Sequence, residues 1–180
     1  LSQLLKNHSF EYQLDFYFSD SQDDEIKNFT INVKNKESID QENLSLFINS
    51  ENNIFQCLQK NNNLVATTLI SKLDQQDDIF YLEILDCEFG PDSNFGTFKV
   101  ASDYFYNLLN EYSISYKADF LNSDSSSRNF YWHNFFNSST DRDNFYASWI
   151  DSEDSIEIKD LFSDQSECFS SNSYIGYKVF

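Results

Sequence analysis

The chain of 180 residues is long enough to bury a sizeable hydrophobic core, and it suits one domain. Its 12 Lys and Arg residues against 30 Asp and Glu residues give a formal net charge of −18. That charge repels nucleic-acid phosphates and anionic membrane surfaces, so we expect no nucleic acid and no membrane as a partner. The same field attracts an amine or a basic protein, or it serves solubility alone.

The cysteines predict the compartment of the protein. Cys57, Cys87 and Cys168 are widely spaced and contain no CxxC pair, which is typical of reduced thiols in a cytoplasmic protein rather than of disulfides or a zinc site. The start, LSQLLKNHSF, lacks the pattern of a signal peptide, and no segment approaches the apolar length of a membrane span. The first residue is not Met, which leaves open an N-terminus upstream.

The N-terminal part predicts two strands, at residues 10–18 and 28–33. In the first, apolar residues alternate with polar ones, and an acidic turn at 20–25 separates the two strands. The polar stretch 34–43 suits a short helix, and the apolar run 44–48 fits no single element type. His8 has no cluster of chemical groups around it.

The middle of the chain has the most regular pattern. Three strands at 53–59, 65–73 and 79–89, joined by short polar turns, predict an antiparallel meander. Residues 97–112 then change to a helical period, with Thr97 as the residue that caps the helix.

The C-terminal part predicts a strand at 114–121, a helix at 124–136 and a last strand in YIGYKVF. The order of the strand 79–89, the helix 97–112 and the strand 114–121 implies a right-handed crossover and a parallel pair of these two strands. The polar segments 139–144 and 151–155 predict exposed turns. The fold class is therefore a mixed α/β (α+β) domain, with a mostly antiparallel sheet flanked by helices.

Two short segments carry a pattern of residues that bears on function. The segment PDSNFG, residues 91–96, directly precedes the predicted helix, where small residues and backbone N–H groups favour a pyrophosphate. The second segment follows the predicted strand 114–121 and has a fixed spacing of small, polar and aromatic residues: Asp124, Ser127, Phe130, Tyr131, Phe135 and Phe136.

In this order of elements, the two segments resemble the acetyl-CoA-binding core of the GNAT N-acetyltransferase superfamily. The resemblance covers about residues 53–136 of a single domain, with 1–52 as a divergent N-terminal part and 137–180 as C-terminal strands. It implies transfer of an acetyl group from acetyl-CoA to an amine of a small molecule or a basic protein. It also implies that Tyr131 is the general acid, and that the cofactor-binding residues are Leu85, Asn94, Phe95, Gly96 and Thr97.

The resemblance implies a general base on or near the strand 79–89, and Glu83 is the predicted base because it is the carboxylate inside the apolar run IFYLEIL. Burial there raises the pKa of a carboxylic acid. The alternative is a solvent-facing residue of the strand. His133 is predicted to be a surface or aromatic-packed residue. No metal-ligand array occurs, and three aromatic residues either frame a substrate pocket or belong to the core: Trp132, Trp149 and Tyr146.

Three functions remain open at this stage. The first is the acyltransferase. The second is a catalytically inactive acidic binding protein of the immunity, antitoxin or DNA-mimic type, favoured by Pro91, Asn94 and Phe135, which depart from the family pattern. The third is a structural subunit of a larger assembly.

Overall fold

The computed structural model describes residues 12–19, 26–33, 64–73, 77–112, 114–123, 127–150 and 152–178. Within them the chain forms a mixed α+β fold, which confirms the predicted class. Its elements, in chain order, are β1 (Tyr12–Ser19), β2 (Ile26–Val33), β3 (Val65–Ser71), β4 (Ile79–Phe89), α1 (Phe95–Glu111), β5 (Lys117–Asn122), β6 (Asn129–Phe136), α2 (Ser139–Trp149), α3 (Glu153–Gln165) and β7 (Ser166–Lys178).

The seven strands form one sheet in the order β2-β1-β7-β4-β6-β5-β3, and all the strand pairs between described residues are antiparallel. β4 and β5 run parallel to each other, as predicted, because β6 is antiparallel to both; they do not pair directly, since β6 lies between them. The meander is also wrong in its pairing, since β3 bonds to β5 and not to β4. The strands predicted at 65–73 and 79–89 are themselves confirmed.

The segment that carries the Phe-Tyr pair is a strand, not the predicted helix. In β6, Phe130, Trp132 and Phe136 are buried in the cluster beneath the helices, whereas Phe135 belongs to a cluster on the opposite face. β6 is thus buried on both faces, and it lies inside the sheet between β4 and β5. Aromatic residues at this density also favour a pleated, buried strand over a helix.

Helix α1 confirms the predicted helical period and packs its apolar side on the sheet. Its N-cap, however, is Asn94 and not Thr97, which is the third helical residue and completes a capping box with Asn94. The buried side of the helix consists of Phe98, Ala101, Ser102, Phe105, Leu108 and Leu109.

The two predicted turns in the C-terminal part are the first turns of helices α2 and α3. Ser138 and Ser152 are their N-caps, and each side chain accepts a hydrogen bond from the backbone three residues further on. The polar residues at these positions therefore start helices rather than reverse the chain. The C-terminal part is thus two helices and a strand, and the predicted last strand is confirmed as β7.

Cys87 and Cys168 form a disulfide between β4 and β7, which contradicts the prediction of reduced thiols. The two residues lie directly opposite each other in the antiparallel register, with a Cα–Cα distance of 4.0 Å. Sequence spacing could not reveal this pair, because 81 positions separate two cysteines that only the sheet brings together.

The strands predicted at 10–18 and 28–33 are confirmed as β1 and β2. Several other predictions fall outside the described residues: the helix in 34–43, the run 44–48 and the strand 53–59. His8 and Cys57 also lie there. No helix among the described residues is long and apolar enough to cross a membrane.

Candidate functional site

Glu83, the predicted base, is buried on the face of the sheet that the three helices cover. Its side chain is 8% exposed, so the alternative of a solvent-facing residue is wrong. The Tyr146 hydroxyl of α2 donates a hydrogen bond to Glu83 Oε2 at 2.7 Å, and Asn134 Nδ2 of β6 donates to the same oxygen at 3.2 Å. The carboxylate thus joins two strands and a helix.

Asn134 extends this hydrogen-bond network away from Glu83. Its Oδ1 accepts from the Tyr116 hydroxyl at 2.6 Å and from Trp132 Nε1, which also lies 3.2 Å from the Tyr116 oxygen. Burial, followed by the charge of Glu83, raises the pKa of Tyr146, and burial raises the pKa of Tyr116 well above its ordinary value. Both phenols therefore stay protonated and act as hydrogen-bond donors.

Arg142 lies at the edge of the same network. Its Nη1 donates to the Tyr81 hydroxyl at 2.7 Å, and its guanidinium lies 4.9 Å from the centre of the Tyr81 ring. The guanidinium also bonds Asp143 on the surface at 2.7 Å. The network can hold the helix α2 against the sheet, because each buried polar group in it has a partner within the protein.

Tyr131, the predicted general acid, lies on the opposite face of the sheet. It is half-buried and is registered against Asp86 of β4 and Leu121 of β5. Because consecutive strand residues point to opposite faces, Tyr131 shares its face with His133 and not with Asn134. The structure therefore does not bring Tyr131 and Glu83 together in one site.

A second polar group surrounds His133 on the Tyr131 face. His133 is 7% exposed and is registered against Asp119, which accepts hydrogen bonds from Lys117 Nζ at 2.6 Å and from the Thr68 hydroxyl at 2.7 Å. Lys117 Nζ also lies 4.4 Å from the centre of the Phe135 ring. Burial lowers the pKa of His133 to about 4, against the opposing effect of the Asp119 carboxylate. His133 is therefore neutral near pH 7, and it is aromatic-packed rather than on the surface.

The first turn of α1 is already occupied by the protein's own groups. Asn94 Oδ1 accepts hydrogen bonds from the backbone N–H groups of Gly96 at 2.8 Å and Thr97 at 3.3 Å. The ring of Phe95 packs on that of Phe120, with centroids 4.7 Å apart. The N–H groups expected to hold a pyrophosphate are thus engaged in the cap.

Leu85 lies in the middle of the sheet, half-buried against the helix-side cluster. The backbone N–H of Phe89 donates to Arg128 beyond the start of β6, and bonding directions alternate along a strand. The odd-numbered residues of β4 therefore bond toward β6, and the Leu85 N–H is directed at Trp132. This amide is part of the ladder.

Helix α3 carries a charged surface that the sequence analysis missed. Four exposed acids recur at intervals of four, three and four residues, which places them along one side of the helix: Glu153, Glu157, Asp160 and Asp164. None of the four forms an ion pair with a described residue. The spacing is visible in EDSIEIKDLFSDQ, but it forms a row only on a helix, and residues 151–155 were predicted to be a turn. We call these four residues the α3 acidic row.

Trp132 belongs to the aromatic core and Tyr146 to the Glu83 network, while the side chain of Trp149 lies outside what the structure describes. Among the described residues no group of His, Cys, Asp and Glu side chains could hold a metal ion.

No protein-family model matches the chain, and neither a curated protein nor a solved structure is significantly similar to it.

Proposed function

We propose that this chain is an acidic binding protein that engages a basic surface of another protein. The α3 acidic row carries the proposal, because four exposed carboxylates lie side by side without a cation among the described residues to neutralise them. The net charge of −18 extends the same field over the chain and accelerates the approach of a basic partner.

The α3 acidic row destabilises the isolated helix, and a role in binding a partner would account for that cost. Like charges four residues apart destabilise a helix by about 0.2–0.5 kcal/mol per pair. Glu153 is well placed near the positive N-terminal end of the helix dipole, but Asp164 lies in the last turn, where a negative charge is disfavoured and no basic residue occurs. A basic partner would relieve both effects.

Binding of poly-lysine, measured by titration calorimetry over a range of salt concentrations, tests the proposal. The double variant Glu157→Gln/Asp160→Asn should weaken binding by about tenfold, and the loss should shrink as salt screens the charges. A control of equal charge, Asp92→Asn/Glu111→Gln, changes two exposed acids outside the row and should weaken binding less than about twofold. Equal losses in both variants would contradict a role of the row.

Acyl transfer from acetyl-CoA to an amine is the second candidate function, together with the GNAT relationship. Its supports are the spacing around Phe130 and Tyr131 and the buried Glu83, whose Oε2 lies 2.7 Å from the Tyr146 hydroxyl. A thermal shift with acetyl-CoA tests it, since a ligand of the folded state raises the melting temperature. No shift at about 1 mM acetyl-CoA would remove this candidate.

The cytoplasmic location also remains a proposal, and the disulfide weighs against it. A bond between Cys87 and Cys168 persists in oxidising compartments and is rare where glutathione keeps thiols reduced. Because Cys87 is buried, the test is acid quenching of cells followed by alkylation of the denatured protein and mass spectrometry. Alkylated Cys87 and Cys168 would support the cytoplasm, and an intact bridge would support an oxidising compartment.

A further inference from the structure

The strand β7 has two differently bonded halves. Its residues 174–178 pair with β1 on one side and with β4 on the other, so this half is inside the sheet. Residues 166–173 pair with β4, but no described strand continues β1 alongside them. The side chains of residues 167–172 are all exposed, so both faces of the sheet are accessible along this half of the strand.

One hydrogen bond shows to which side the backbone N–H and C=O groups of each residue in this half point. The N–H of Lys178 donates to Asp78 O at 2.8 Å, just before β4 begins, so Lys178 bonds toward β4. Because bonding directions alternate in an antiparallel pair, Tyr174 and Asn172 also bond toward β4. Ser173 and Ser171 then direct their N–H and C=O groups to the open side.

We infer that the edge at residues 166–173, beside which no described strand lies, is a docking site for an extended, basic segment of a partner protein, which adds to the sheet as a further strand beside β7. The inference deepens the proposed function and rests on it. The backbone groups of Ser171 and Ser173 would bond the added strand, as in other cases of strand addition. The charge would select which strands are accepted.

Charge complementarity identifies the occupant. The α3 acidic row belongs to the helix that runs directly into β7, and Glu167 opposes Glu88 across the β4–β7 pair. Among the described residues Arg128 lies 3.2 Å from Glu88, whereas Glu167 and the α3 acidic row form no ion pair with a described residue. A segment with Lys or Arg residues matches this surface.

A second copy of the same chain matches it poorly. Two molecules of net charge −18 repel each other, and pairing β7 with β7 would also place the Glu167 residues of both copies on one shared edge. The edge also carries an apolar contact for a partner: Phe169 is 59% exposed at a β-bulge, where the register shifts between Asp86 and Cys87.

Hydrogen exchange of the whole protein tests the docking site directly. The probe is a blocked peptide of alternating lysine and valine that is long enough to span residues 166–173. In the free protein the amides of Ser171 and Ser173 should exchange fast, and the peptide should slow them by at least about tenfold. The amides of Asn172 and Tyr174, which bond toward β4, should be slow in both states and serve as the internal control.

Two variants of the edge separate strand addition from attraction by charge. Ser171→Pro removes the outward N–H while the bonds to β4 at neighbouring residues remain, and Pro is tolerated at sheet edges. It should weaken binding of the alternating peptide by about fivefold to tenfold and leave binding of poly-lysine unchanged. Ser171→Ala keeps the N–H and should bind both probes like the native protein.

The outcomes for the docking site and for the proposed function are distinct. If both probes bind but the amides of Ser171 and Ser173 gain no protection, the docking site is wrong and the acidic binding protein stands. If neither probe binds, both proposals are wrong. Concentration-dependent dimers seen by sedimentation, with protection of the same amides and no peptide, would assign the edge to a second copy and overturn the inference. The exchange experiment needs no variant, so misfolding of Ser171→Pro would not affect it.

Discussion

The two faces of the sheet differ most clearly along β6, where neighbouring residues have opposite surroundings. On the helix-covered face, Phe130 is 1% exposed and its ring lies within 5.0 Å of those of Phe89, Phe98 and Phe120. On the other face Tyr131 and His133 lie among charged groups of β4 and β5. The helix-covered face is an aromatic core with one polar network, and the other face is a mixed polar and apolar surface.

The difference depends on the segment NFYWHNFF being a strand and not the predicted helix. A helix does not divide neighbouring residues between two faces of a sheet, so it would allow Tyr131 to lie near Glu83. As a strand, the segment divides its residues strictly between the two faces. The general acid and the general base expected from the resemblance are separated by the thickness of the sheet, and the stability of each face can be tested by itself.

The largest expected effect separates two adjacent residues of β6. Phe130→Ala should lower the free energy of unfolding by about 3–5 kcal/mol, because it opens a cavity beside the rings of Phe89, Phe98 and Phe120. Tyr131→Ala, on the other face, removes a half-buried ring and should lower it by less than half as much. Denaturant unfolding measures both, and equal losses would contradict the contrast between the faces.

The disulfide tests how far the helix-covered core depends on a covalent link. Cys87 lies in that core, and the bridge closes a loop of 81 residues. The double variant Cys87→Ala/Cys168→Ala should lose about 2–4.5 kcal/mol, mostly because the unfolded chain regains freedom. Thermal unfolding with and without reductant gives the same comparison in the native chain. A reductant that leaves the melting temperature unchanged would show that the link contributes little.

His133 makes the stability of the opposite face dependent on pH. Because burial lowers the pKa of His133 to about 4, the unfolded state binds its proton first, near the ordinary value of 6.5. The contribution of His133 to the free energy of unfolding is fully present above pH 6.5 and is lost as the pH falls toward 4. At pH 5 the loss relative to pH 7 should be about 2 kcal/mol.

The variant His133→Gln isolates that effect from the titration of carboxylates. Its unfolding free energy should change less between pH 7 and pH 5 than that of the native chain, by the same amount of about 2 kcal/mol. Lys117 and Asp119 are the described charges that act on this histidine. Parallel pH profiles of the native chain and the variant would show that folding does not lower the pKa of His133.

The smallest expected effect concerns the polar network of the helix-covered face. Tyr146→Phe removes one hydrogen bond to Glu83 and should lower the free energy of unfolding by about 1.5 kcal/mol, because the acceptor is a buried carboxylate. Tyr106→Phe is the matched control, since the Tyr106 hydroxyl forms no hydrogen bond with the described residues, and it should change stability by less than about 0.5 kcal/mol. Equal effects of the two substitutions would remove the network from the account of stability.

The sequence predicted the existence of most elements better than their partners. The spacing of apolar residues located β4, α1 and the last strand, because a buried face recurs every second residue in a strand and about every 3.6 residues in a helix. Pairing depends on distant parts of the chain, so the insertion of β6 between β4 and β5 had no local signal. The turn-like segments that start α2 and α3 were misread because Ser and Asp serve both turns and helix caps.

For the candidate site, burial of Glu83 could be inferred from its apolar neighbours, but its hydrogen-bond partners could not. Tyr146 is 63 positions away and Asn134 is 51 positions away. The α3 acidic row, in contrast, required only the correct element type, since its spacing is local. The disulfide could not be predicted, because the number and spacing of the cysteines do not show which two residues the sheet brings together.

The position of β7 in the sheet affects how the protein is made. This strand is the last element of the described chain, yet it lies between β1 and β4 and joins the β1–β2 hairpin to the other four strands. During synthesis on the ribosome, β1 and β2 must wait for more than a hundred residues before that neighbour exists. We expect the hairpin to form early and the closed sheet to form late, with long-range pairing setting the folding rate. A nascent chain stalled before Ser166 would hold two unjoined pieces of sheet.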